Sequence, residues 1–189
     1  MIKINACLIA LLITLGASAE QQKFWSLSAG WAQPGDTEVR SANNQHLYDV
    51  EFDAGWVIEG AIGAQISELP IAYELAVAYQ QNEMTADNTS EDATIWTVMA
   101  NGYYLIDCEQ SFTPYGLFGV GVLDFDAGDA EETVLAGQVC AGICYPLDDM
   151  TCINFEYRFL FAEDFEDLPG GGDMEFDSQS LQIGYTRMY

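Results

Sequence analysis

Ile71, Tyr73, Leu75, Val77 and Tyr79 alternate without a break with Ala72, Glu74, Ala76, Ala78 and Gln80, and this period of two constrains the fold more than any other feature of the chain. Successive side chains of a strand point to opposite faces, so the segment has one bulky apolar face and one small or polar face. The pattern recurs. Trp25, Leu27, Ala29 and Trp31 oppose Ser26, Ser28 and Gly30, while Trp56, Ile58, Gly60 and Ile62 oppose Val57, Glu59, Ala61 and Gly63. Ile153, Phe155, Tyr157, Phe159 and Phe161 oppose Cys152, Asn154, Glu156 and Arg158; Leu181, Ile183, Tyr185 and Tyr189 oppose Gln182, Gly184 and Thr186. Eight strands are expected, near 24–33, 52–66, 70–82, 94–106, 112–124, 133–145, 151–162 and 178–189, with the alternation blurred by Gly116, Gly119 and Gly121. Short connections at 67–69, 107–111 and 146–150 alternate with longer ones at 34–51, 83–93, 125–132 and 163–177, which hold most of the Asp and Glu. That is the order of a meander with one kind of loop at each end.

The first residues set the compartment. Lys3, the apolar run Leu8-Ile9-Ala10-Leu11-Leu12-Ile13 and the small-x-small triplet Ala17-Ser18-Ala19 read as a cleavable secretory signal over 1–19, leaving a mature domain of 20–189. The run is too short to span roughly 30 Å of hydrocarbon. Cys7 lies in the removed segment and no Cys follows the cleavage site, so no lipoprotein anchor is expected. Removing the signal leaves Lys23, Arg40, Arg158 and Arg187 against 30 Asp and Glu, a net charge of −26. Nucleic acid, whose phosphates demand a basic surface, is excluded as a partner. Such acidity often accompanies disorder, but 50% hydrophobic and 13% aromatic residues contradict it here.

Two architectures share the alternation with opposite polarity. A soluble up-and-down barrel of the lipocalin type buries its apolar face, whereas a membrane barrel turns that face to lipid and fills a narrow lumen with small and polar side chains. Here the face opposite the aromatics carries Gly, Ala, Ser, Asn and Gln with single charges, which suits a crowded interior of eight strands. Aromatics cluster near segment ends, as interfacial girdles require: Trp25, Trp31, Trp56, Tyr73, Tyr79, Tyr104, Tyr145, Tyr185 and Tyr189. The expected fold is all-β, a closed antiparallel eight-stranded up-and-down transmembrane β-barrel.

Residues along the whole mature chain resemble the small outer-membrane β-barrel proteins of porin-like or opacity type, related in shape to the OmpA transmembrane domain. The resemblance rests on Ser28-Ala29-Gly30-Trp31, Gly55-Trp56-Val57-Ile58-Glu59-Gly60-Ala61-Ile62-Gly63, Tyr73-Glu74-Leu75, Met99-Ala100-Asn101-Gly102-Tyr103-Tyr104 and Phe112-Thr113-Pro114-Tyr115-Gly116. The segment Ile183-Gly184-Tyr185-Thr186-Arg187-Met188-Tyr189 resembles the family's terminal strand. The resemblance implies that Tyr185 and Tyr189 form an insertion signal read by the outer-membrane insertion machinery, and that the protein resides in the outer membrane of a Gram-negative bacterium. Arg187 departs from the pattern by standing where another outward aromatic is usual; its head can snorkel to the interface. Lipid and lipopolysaccharide are the implied surroundings.

Little catalytic chemistry is on offer. The single His46 lies in a long connection without an accompanying Ser or Cys motif, so no enzyme, no catalytic residue and no cofactor is expected. Asp124, Asp126, Asp129, Glu131 and Glu132, beside Glu163, Asp164, Glu166 and Asp167, form the densest acidic cluster. The cluster fails the EF-hand pattern, because Gly128 takes the third ligand position and Leu135 stands where Glu is needed. No specific metal site is expected there, only loose divalent cations or a solvated surface. The inward charges Glu59, Glu74, Glu156 and Arg158 read as a lumen polar network, the alternative being the lining of a narrow water path. Cys108, Cys140, Cys144 and Cys152 are an even number in an oxidising compartment and allow three disulfide connectivities. The preferred pairing is Cys144–Cys152, which flank a short turn, with Cys108–Cys140. The functional expectation is a structural or surface-interaction role through acidic extracellular loops, with a narrow porin for small solutes and a soluble lipocalin-like binder of apolar ligands as alternatives.

Overall fold

A computed structural model describes residues 21–41, 46–86, 89–108, 110–127, 130–168 and 172–189. The expected signal over 1–19 lies outside the described residues. The strands in chain order are β1 (Gln21–Pro34), β2 (Thr37–Ser41), β3 (His46–Phe52), β4 (Gly55–Ile66), β5 (Ile71–Ala86) and β6 (Thr89–Leu105). They continue with β7 (Thr113–Ala127), β8 (Ala130–Asp148), β9 (Thr151–Ala162), β10 (Phe165–Leu168), β11 (Gly172–Met174) and β12 (Asp177–Met188). The eight long strands β1, β4, β5, β6, β7, β8, β9 and β12 pair antiparallel in that order, and β12 returns to β1 with Trp31 opposite Leu181 and Trp25 opposite Arg187. The sheet therefore closes and leaves no edge, the condition for crossing a bilayer with strands. No described helix is long and apolar enough to cross a membrane.

Alternation decides which face is which. Leu75 is 50% exposed and Ile62 63%, whereas Glu74 and Ala76 between the outward side chains of β5 are buried. The apolar face thus points out, and a soluble lipocalin-like barrel, which needs the opposite polarity, is ruled out. Tyr79 stacks between Trp56 and Trp96 on the outer surface, with ring centroids 5.3 and 4.8 Å away, and Trp25 meets Tyr185 at 5.6 Å near the short-turn end. These are two girdles flanking an apolar band. Leu75→Arg, in the band between Tyr73 and Tyr79, is expected to lower stability by about 2–4 kcal/mol in urea unfolding from lipid vesicles. Glu83→Gln, above the band on the same strand, is expected to change it by no more than about 0.5 kcal/mol.

The long-loop end differs from the sequence expectation of four acidic loops. Strands β5 to β8 are 15–19 residues long, whereas a tilted crossing needs about 9–11, so they rise past the girdle. Residues 83–93 and 125–132 are mostly strand: Ala86 pairs with Thr89, and Ala127 with Ala130. Strand β2 pairs with β3 and β10 with β11, and the two pairs are joined to each other and to the barrel, with Asp173 of β11 opposite Arg40 of β2 and Val50 of β3 opposite Ala86 of β5.

Polarity inverts at the girdle. Below it the outward side chains are apolar and the inward ones polar. Above it Asp49, Glu51, Asp92 and Asp126 are exposed while Val50, Phe52, Ala93, Ile95 and Phe125 are buried. The emergent part of the barrel is built like a soluble one, with an apolar core under an acidic coat. Phe125 packs against Phe165 and Phe176 at 5.1 and 6.1 Å between ring centroids, and Phe52 meets Phe176 at 6.2 Å. With Val39, Leu123, Met174 and their neighbours they plug the mouth at the long-loop end.

Candidate functional site

Below the plug, inward positions of every long strand supply a polar filling. Gln80 donates to Asn82 Oδ1 at 2.8 Å and to Ser178 Oγ at 3.1 Å, while Asn82 donates to the carbonyls of Ala32 and Asp53. Deeper in the lumen Arg158 of β9, 4% exposed, donates from Nη1 to Glu59 of β4 and from Nη2 to Glu156 Oε2 at 2.8 Å. Its Nε has no partner among the described residues. Tyr115 donates its hydroxyl to the other oxygen of Glu156 at 2.6 Å.

Glu74 joins the same network by a longer route. Its Oε1 accepts from Asn101 at 2.8 Å and Tyr103 at 2.6 Å, and Gln138 donates to Asn101 Oδ1 at 2.7 Å while accepting from Arg158 Nη1 at 3.4 Å. Of the four side chains expected to form one network, the structure therefore joins three directly through Arg158 and holds Glu74 through Asn101, Tyr103 and Gln138, which sequence reading did not single out. Gly119 makes this crossing possible: a Cβ there would collide with Asn101 Oδ1 and press on Gln138. The glycine that blurs the alternation of β7 is a place where two side chains meet across its backbone.

Toward the short-turn end the filling gives way to a cavity of about 80 Å³. Glu59, Glu74 and Glu156 line it with Tyr103, Tyr115, Ser26, Ser28, Cys144 and Cys152, and the half-buried Gln65, Leu105, Thr186 and Met188 stand at its rim. The barrel is plugged at one end and hollow at the other.

The four described cysteines are free thiols in the structure. Cys144 and Cys152 lie on neighbouring strands, Cys144 opposite Asn154 and Cys152 opposite Pro146, and both line the cavity. Cys108 and Cys140 are not brought together. Cys108 Sγ donates to the Phe112 carbonyl beside Thr113, whose partner is Cys144. Cys140 sits four residues farther along β8, opposite Leu117, about 13 Å away along the strand, and a disulfide needs Cα atoms within about 7 Å. The expected Cys108–Cys140 bridge is therefore corrected: strand register separates its partners. Nonreduced peptide mapping of protein isolated from membranes is expected to give a Cys144–Cys152 link with Cys108 and Cys140 open to alkylation. In the adjoining turn the Met150 N–H donates to Asp148 at 2.8 Å and holds that carboxyl below its ordinary range.

The remaining expectations are placed as follows. Among the described residues no three His, Cys, Asp or Glu side chains converge as metal ligands. Within the acidic cluster Asp124 accepts from Thr133 at 2.6 Å, Asp126 is exposed opposite Glu131, and Glu163 and Asp164 are exposed; Asp129 lies outside the described residues. His46 begins β3 opposite Arg40. Tyr189 is exposed, and its backbone N–H donates to the Lys23 carbonyl.

The family described as outer membrane protein beta-barrel domain matches residues 6–187. Among solved structures the chain is similar to the neisserial surface protein A, with 14% identity, 88% of this chain and 97% of that one covered, and a TM-score of 0.66. It is also similar to OprG from Pseudomonas aeruginosa, with 12% identity, 90% and 98% coverage and a TM-score of 0.59. The outer membrane protease OmpT from Escherichia coli shares the architecture at 9% identity, 89% and 97% coverage and a TM-score of 0.51. No curated protein matches the chain.

Proposed function

The chain belongs to the outer membrane β-barrel domain family, and from that premise we propose that it works at the cell surface through its acidic outer rim, as a structural or adhesive protein and not as a conduit or an enzyme. In this family the short turns face the periplasm and the longer connections face outward. The plugged end with its acidic coat then faces the surroundings of the cell, and the hollow end faces the periplasm.

The observation that carries the reading is the inversion of polarity at the girdle. Outward carboxylates on neighbouring strands, such as Glu83 opposite Asp92, repel one another, and directly opposed like charges destabilise a sheet. A surface that tolerates this is suited to a cationic partner or to counterions among anionic headgroups, and such attraction weakens with salt. The filled lumen supports the same reading, since eight strands leave an interior about occupied by side chains. The non-enzymatic part rests on the sequence, with its single His46, because the fold itself also serves a protease.

Vesicles carrying the protein are expected to bind a polylysine surface, to release as salt rises, and to bind weakly when Glu83→Gln, Asp92→Asn, Asp124→Asn and Asp126→Asn are combined. Equal binding by the neutralised variant would sink the surface reading. Stable, large single-channel steps in planar bilayers would replace it with the narrow porin.

A further inference from the structure

The lumen holds more negative charge than its one guanidinium balances. Glu156 uses both oxygens, one for Tyr115 and one for Arg158. Glu59 offers only Oε2 to Arg158, and Glu74 only Oε1 to Asn101 and Tyr103. Glu59 Oε1 and Glu74 Oε2 accept no hydrogen bond among the described residues. Their side chains are 6% and 3% exposed, and both line the periplasmic cavity. Buried charges need partners, and both residues line a cavity that a partner can enter.

The cavity's chemistry narrows the class of that partner. At about 80 Å³ it has room for several waters or one small solute. Calcium takes six to eight oxygen ligands and magnesium a near-ideal octahedron, whereas no three ligating side chains converge among the described residues. Two separate carboxylate oxygens suit a cation that brings its own N–H donors and leaves the rest to water.

We propose that the periplasmic cavity binds a small ammonium-type cation, ammonium or the head of a short primary amine, received by Glu59 Oε1 and Glu74 Oε2. The amine enters from the periplasm past Thr186 and Met188, and the plug beneath the outer rim stops it from passing through. The site is independent of the surface role proposed above.

Methylammonium is the probe, titrated calorimetrically into the full mature chain in lipid nanodiscs at constant ionic strength, with choline, which lacks N–H donors, as the control. Saturable heat is expected for methylammonium and none for choline. Glu74→Gln, which keeps an acceptor for Asn101 and Tyr103, is expected to weaken binding roughly ten- to hundredfold, the worth of one charged hydrogen bond. Glu59→Gln provides a second variant with the same expectation, and Glu68→Gln, exposed on the 67–69 turn and outside the cavity lining, is expected to bind as the parent does. Absence of saturable heat, or unchanged affinity in both lumen variants, overturns the proposal. So does an infrared band of a protonated carboxyl, assigned by its loss in Glu74→Gln, that persists at saturating methylammonium, because a proton then supplies the missing charge.

Discussion

Arg158→Met is expected to lower the stability of the barrel by about 3–5 kcal/mol, the cost of removing one partner from a buried ion pair. Arg158 is the only cation in contact with Glu59 and Glu156 among the described residues, and all three side chains are less than a tenth exposed. Methionine fills much of the volume but leaves two carboxylates in a crowded interior with no counter-charge. Urea unfolding from vesicles, followed by tryptophan fluorescence and by heat-modifiable migration on gels, reads the loss. Adding Glu59→Gln and Glu156→Gln to the same chain removes the stranded charges and is expected to restore most of the stability. If the triple variant is no more stable than Arg158→Met alone, the cost lies in packing and the electrostatic account fails.

Phe125→Ala is the second substitution with a large expected effect, about 3–5 kcal/mol from lost burial and the cavity left behind. Phe125 is 1% exposed and touches the rings of both Phe165 and Phe176, one from each side of the β10–β11 hairpin. The damage should stay at the outer end. Amides of β2 and β11 are expected to exchange faster with solvent, whereas those of β1 and β12 near Trp25 and Tyr185 keep their protection. Planar-bilayer conductance should stay low, since the Arg158 cluster still fills the barrel beneath. Open channels in Phe125→Ala would instead make the aromatic plug the only barrier.

Much of this architecture was legible in the residues because lipid imposes a simple rule on a strand. Leu75 and Glu74 are neighbours in sequence and opposites in environment, so a period of two read together with residue size gives both the strand and the direction each face points. The eight long strands and the inward Glu59, Glu74, Glu156 and Arg158 follow from that rule alone. The caps at the outer end do not. Val50, Phe52, Met174 and Phe176 alternate as regularly as any barrel segment, but the residues between them are Glu51 and Glu175, and an acidic alternation reads as loop. Their pairing also joins chain positions far apart, Arg40 with Asp173, which no local pattern announces. The candidate site was half legible for a similar reason: the charges stand out, while the contact of Asn101 with Gln138 depends on Gly119 letting two strands' side chains touch. The Cys108–Cys140 pairing failed because parity tells which way a cysteine points but not how high on the barrel it stands.

The inversion of polarity also acts as a waterline. On β5 the outward sequence runs Leu75, Val77, Tyr79, Gln81, Glu83, and on β7, the strand beyond β6, Val120, Val122, Asp124, Asp126, so oil-facing side chains give way to carboxylates within a few residues on both strands. A barrel that sank by two residues would drag several carboxylates into hydrocarbon together, and one that rose would lift Trp56 and Trp96 out of the headgroups. The chain thus carries its own draught mark, and where the surrounding membrane is thinner or thicker than that mark, it is the lipid that must bend to meet the protein.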